Sequence, residues 1–72
     1  MIERNKIKEI RREKGLRQKD LSSKVGIFQS ELSDIEMGKR KPNVYLAIKI
    51  AKALGKKVED IFFYEEKEEN NI

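Results

Sequence analysis

The chain has 72 residues, 42% of them charged, with a formal net charge of +4 and neither cysteine nor histidine. One small domain is expected, burying roughly 60% of its unfolded surface and so only marginally stable. The composition excludes disulfides and thiolate zinc sites, and it removes the commonest general base and metal ligand.

The charge is unevenly placed. Residues 1–64 carry +7 and residues 65–72 carry −3, so a compact basic body precedes an acidic tail. A basic body suits a polyanionic partner, although lysine-rich surfaces also simply solubilise. No stretch approaches the roughly 20 apolar residues that span a bilayer. No apolar signal core follows the first residues, so a cytoplasmic location is expected.

The first helix is expected from Asn5 to Lys14, with Ile7 and Ile10 inward and Gly15 as its stop. The second runs from Gln18 to Val25, with Asp20 near the positive end of its dipole. Leu21 and Val25, four apart, form one apolar stripe. Gly26 takes the chain out of that helix, and Ile27 is expected to pin the turn to the core.

The third helix is expected from Gln29 to Met37, with Leu32 and Ile35 inward and Gly38 at its end. Two short helices held at a steep angle by a turn of about 3 to 4 residues make a motif that places its second helix in the major groove of DNA. The loop Lys39-Arg40-Lys41-Pro42 follows, and Asn43 is a good N-cap for a fourth helix, Val44 to Leu54. Its inward set is Leu46, Ala47, Ile50 and Leu54, and Gly55 stops it. A fifth helix is expected from Val58 to about Tyr64, with Ile61 and Phe62 closing the core. The expected fold class is therefore all-α, a bundle of five short helices over residues 1–64. The like-charge run in residues 65–72 is expected to be disordered.

Five segments in this order carry a resemblance: I-K-E-I-R at 7–11, K-G-L-R-Q-K-D-L at 14–21, K-V-G at 24–26, L-S-D-I-E-M-G-K-R at 32–40 and L-A-I-K-I-A-K-A-L-G at 46–55. Over residues 5 to 63 the chain resembles the lambda-repressor-like (Xre-type) helix-turn-helix family. The resemblance implies a transcriptional regulator, most often a repressor, that binds a palindromic operator in double-stranded DNA as a two-fold dimer, with no cofactor. It also implies that Arg11 and Glu36 pair across the first and third helices.

Three positions depart from the family pattern. Arg17 and Phe28 stand where Thr or Ser often caps the second and third helices, and Ser22 stands where a small apolar residue is common. Phe28 has no cap acceptor, and its ring is expected to pack under the turn; the other possibility is an exposed ring touching a thymine methyl.

The first exposed residues of such a third helix point into the groove. These are Gln29, Ser30, Ser33 and Asp34 as base contacts, with Gln29 able to pair with adenine N7 and N6. Asp34 could accept from cytosine N4 or form a salt bridge with a nearby lysine. Glu31, third in its helix, is assigned to the dipole and the cap rather than to a base. Backbone phosphates are assigned to Arg17, Gln18, Lys19, Lys39, Arg40, Lys41 and Asn43, with Arg40 also able to reach a minor groove. For the loop trio the plain alternative is a solvated loop.

A dimer is expected through the fifth helix near Phe62, Phe63 and Tyr64. Catalysis is set aside. Glu31 and Glu36 fall on different helix faces, and neither histidine nor a glycine-rich phosphate loop is present. The remaining rival is a protein-interaction module, antitoxin-like or partner-binding, that keeps the fold with weak or no specific DNA binding. The three acids between Gln29 and Glu36 favour it modestly.

Overall fold

The computed structural model describes residues 5–62. Over these residues the fold is all-helical: α1 (Ile7–Glu13), α2 (Gln18–Val25), α3 (Gln29–Glu36), α4 (Val44–Leu54) and α5 (Val58–Ile61). Phe63, Tyr64 and the acidic segment 65–72 lie outside the described residues, and with them the expected tail disorder and most of the expected dimer surface.

Each helix sends one apolar stripe to a shared core. Ile7 and Ile10 come from α1, Leu21 and Val25 from α2, Leu32 and Ile35 from α3, Ile50, Ala51 and Leu54 from α4, and Ile61 from α5. Leu16, Ile27, Leu46, Val58 and Phe62 pack around its edge. Ile27 thus anchors the α2–α3 turn. Gly26 supplies the left-handed conformation (φ 79°) that lets the following N–H, that of Ile27, close on the Ser22 carbonyl at 3.0 Å. A Cβ there would meet nothing within 4 Å, so glycine is required by φ and not by space. Ser22 is buried, and its hydroxyl donates to the Lys19 carbonyl at 3.1 Å, which satisfies the polar group within its own helix.

The helix starts use two devices. Asn43 Oδ1 accepts from the Leu46 N–H at 2.8 Å, an ordinary N-cap. The residues before α2, α3 and α5 are Arg17, Phe28 and Lys57, none with an acceptor. There the acid at the third helical position reaches back instead. Asp20, Glu31 and Asp60 accept from the N–H of Arg17, Phe28 and Lys57 at 2.8, 3.1 and 3.2 Å. This is the returning half of a capping box. Replacing Asn43 with alanine is expected to lower stability by about 1 kcal/mol. Urea denaturation checks it, and an unchanged midpoint would remove Asn43 from the list of caps.

Four helix ends differ from the sequence expectation, two of them on α1, which stops at Glu13 with Lys14 as its cap rather than at Lys14. Helix α1 begins at Ile7 rather than Asn5, because Asn5 serves as a tie. Its Oδ1 accepts from the Ile7 N–H at 3.1 Å, its Nδ2 donates to the Ile35 carbonyl at 2.8 Å, and its backbone makes an isolated antiparallel bridge with Phe62. The Lys6 N–H also donates to the Ile61 carbonyl at 2.8 Å. The same bridge ends α5 at Ile61 instead of Tyr64, since Phe62 turns extended (φ −106°, ψ 125°) to make it. Helix α3 stops at Glu36, one residue early, with Met37 as its cap.

Candidate nucleic-acid interface

Helices α2 and α3 are joined by Gly26, Ile27 and Phe28, and α3 turns Leu32 and Ile35 fully into the core. The helical period then fixes what faces out. Gln29 and Ser30 are exposed, and Ser33 and Asp34 are half-buried along the same outer side. The four residues assigned to base contact therefore lie on the surface of α3. The Asp34 carboxylate makes no ion pair among the described residues, so the lysine bridge, one of the two readings open for this residue, is not formed there. Its backbone carbonyl accepts the N–H groups of Lys39 and Arg40, at 2.8 and 3.3 Å.

Phe28 corrects the sequence reading. Its ring is 77% exposed rather than packed under the turn. Ile27 already fills that place, and Phe28 takes the extended N-cap conformation (φ −75°, ψ 150°). A serine fits that conformation and adds the missing cap acceptor, so Phe28→Ser is expected to raise stability by about 1 kcal/mol. Thermal or urea melting checks it; a loss of stability would mean the ring contributes packing.

A chain of side-chain hydrogen bonds runs from the interior to the start of α3. Arg11 and Glu36 pair through Nε–Oε2 at 2.8 Å and Nη2–Oε1 at 3.2 Å, with side chains 9% and 3% exposed. Arg11 Nη1 also donates to the Leu16 carbonyl at 2.9 Å, so the buried guanidinium is held on two sides. Gln18 Nε2 donates to Glu36 Oε1 at 3.1 Å, and Gln29 Nε2 donates to Gln18 Oε1 at 3.2 Å. The Arg11–Glu36 pair was expected from the resemblance, whereas Gln18 and Gln29 were assigned separately and their connection to it was missed. The available signal was two glutamines, each first in its helix, on either side of a glycine-led turn.

The basic residues fall into two sets. Lys19, Lys39 and Lys41 are exposed, as is Asn43. Arg17 and Arg40 are occupied by local acids. Arg17 meets Asp20 through Nε at 3.1 Å and Nη2 at 3.3 Å. The side-chain hydrogen bond from Arg17, followed by the one from its backbone N–H, holds the Asp20 carboxyl below the usual carboxylate range. The small stability this contact adds is present above the ordinary carboxylate range and is lost as pH falls through the lowered value. Arg40 Nη1 lies 3.0 Å from Glu31 Oε2, while Glu31 Oε1 holds the Phe28 N–H. Glu31 thus joins the N-terminus of α3 to the loop that follows its C-terminus.

A helical pair joined by a glycine-led turn, with its second helix displaying an amide and hydroxyls beside a basic loop, defines a helix-turn-helix DNA-binding domain. The helix-turn-helix family model matches residues 7–61, and the chain belongs to that family. The family consists of DNA-binding transcription regulators, not enzymes. The chain is 46% identical over 65 residues to an uncharacterized HTH-type transcriptional regulator of Methanocaldococcus jannaschii, covering 90% of this chain and 98% of the relative. Among solved structures, it resembles the restriction-modification controller protein C.AhdI from Aeromonas hydrophila at TM-score 0.72 and 29% identity, over 76% of this chain and 83% of that one. It also resembles SinR, a master regulator for biofilm formation solved in complex with DNA, at TM-score 0.69 and 33% identity, over 75% of this chain and 87% of that one. Among the described residues no helix is long and apolar enough to cross a membrane.

Proposed function

We infer that this protein is a cytoplasmic repressor that binds a palindromic operator as a two-fold dimer, with α3 in the major groove. The observation that carries the reading is the outer side of α3, where Gln29 is exposed at the first helical position and held by Gln18. In this reading Gln29 pairs with adenine, and Ser30, Ser33 and Asp34 touch neighbouring base edges. Arg17, Gln18, Lys19, Lys39, Arg40, Lys41 and Asn43 hold phosphates on either side, which fixes register without reading sequence. The dimer forms through the end of α5, around Phe62, Phe63 and Tyr64, and sets half-sites about one helical turn apart. That SinR was solved with DNA supports the partner, and the controller role named for C.AhdI supports a regulator of this size.

The test is fluorescence anisotropy against the duplex upstream of the protein's own coding sequence, with a scrambled duplex as control, across a salt series. Tight binding that prefers the upstream duplex and weakens steeply with salt is expected, because phosphate contacts release counterions. Flat, feeble titration of both duplexes would overturn the operator reading in favour of a protein partner.

A further inference from the structure

The hydrogen bonds that reach Gln29 begin at a charge. Glu36 is bonded by the Arg11 guanidinium at 2.8 and 3.2 Å, and an ion-paired carboxylate only accepts. The atom of Gln18 that lies 3.1 Å from Glu36 Oε1 must therefore be its amide nitrogen. That leaves the Gln18 oxygen turned toward Gln29. An amide oxygen also only accepts, so Gln29 must offer Nε2, at 3.2 Å. Turning either glutamine end for end would set two acceptors or two donors against each other. One buried charge thus dictates the polarity of two amides in series.

The consequence lies at the exposed end of the series. With one Nε2 hydrogen committed to Gln18, Gln29 has one N–H and its oxygen left to present. Adenine matches this pair in the major groove, with N7 as acceptor and the N6 amino group as donor. Guanine offers N7 and O6, two acceptors, and sets O6 against the Gln29 oxygen.

We propose that Glu36, acting through Gln18, is a positioning residue for base recognition, and that it makes the start of α3 prefer adenine over guanine. The inference rests on the reading that Gln29 enters the groove. It adds a second role to a pair that otherwise only joins α1 to α3. A merely structural Glu36 moves stability and leaves base preference where it was.

The polarity can be reversed without touching the ion pair. Lysine at position 18 has three donors and no acceptor. It can donate to Glu36 on one side and to the Gln29 oxygen on the other, which turns the Gln29 amide group toward the groove as a donor. The experiment selects binding sites from a randomised duplex library with the wild type, Gln29→Ala, Gln18→Lys and Glu36→Gln. Anisotropy on adenine and guanine versions of the selected site follows. The position that loses its preference in Gln29→Ala marks the base that Gln29 reads.

At that position the wild type is expected to favour adenine over guanine by roughly tenfold or more, the range of a good bidentate contact. Gln18→Lys is expected to move the ratio toward guanine by about tenfold. Glu36→Gln, where circular dichroism finds it folded, is expected to lose most of the preference, since a neutral amide allows either polarity. If it does not fold, Gln18→Lys decides alone. An unchanged adenine preference in Gln18→Lys, or a wild-type preference for guanine, overturns the inference while the operator reading stands. A wild type that selects no site at all overturns the operator reading and the inference with it.

Discussion

Replacing Glu36 with alanine is expected to destabilise the domain by about 3–5 kcal/mol, the usual effect of removing one partner from a buried ion pair. The Arg11 side chain is only 9% exposed, and without Glu36 it keeps a single hydrogen bond, to the Leu16 carbonyl. Gln18 loses its acceptor at the same time. A domain of this size has few kcal/mol to spare, so the variant should be largely unfolded at 25 °C. Urea denaturation followed by circular dichroism checks this. The double replacement Arg11→Met with Glu36→Leu should recover most of the loss, since exchanging both charges for apolar groups leaves neither buried and unpaired. A tenfold change in base preference corresponds to only about 1.4 kcal/mol, so the effect on stability is the larger one. A loss below about 1 kcal/mol, with base preference strongly altered, would sink the structural assignment.

Where local chemistry sets a helix boundary, the sequence alone locates it. Helices α2 and α4 begin and end where the stripes and punctuation place them, because Gly26 and Gly55 adopt the left-handed conformation that their ends require. The outer ends of α1 and α5 are another matter. They are set by the bridge between Asn5 and Phe62, two residues that no local window contains together. Asn5 also bonds the carbonyl of Ile35, thirty positions away, which no period or propensity encodes.

The site shows the same division. The outward placement of Gln29 and Ser30 follows from the inward spacing of Leu32 and Ile35. The exposure of Phe28 does not, because a large aromatic next to a turn is ordinarily buried and Ile27 had already taken the place. The Gln18–Gln29 bond depends on the angle between two helices, and that angle is a product of the core.

The loop after α3 is the clearest case for a count of phosphate contacts. Lys39 and Lys41 are exposed, whereas Arg40 is already bonded to Glu31 at 3.0 Å. Each lysine that meets a phosphate releases a counterion, so each alanine replacement should lower the slope of log affinity against log salt by about 0.9. For the double variant Lys39→Ala, Lys41→Ala the slope should fall by about 1.8. Between 50 and 200 mM salt that difference amounts to roughly tenfold in the loss of affinity. The weakening should be uniform across duplex sequences, because a phosphate carries no sequence information.

Arg40→Ala should change the slope by less than either lysine. Its charge is partly neutralised by Glu31 before DNA arrives, and a phosphate must compete with that carboxylate. Glu31→Gln removes the competitor and should therefore steepen the salt dependence and tighten binding to every duplex, at the expense of the charge at the start of α3. Anisotropy titrations of the five variants at several salt concentrations measure all of these slopes. A slope that Lys39→Ala and Lys41→Ala leave unchanged would make the loop a solvated surface. A change in base preference with Arg40→Ala would place that guanidinium in a groove rather than on the backbone.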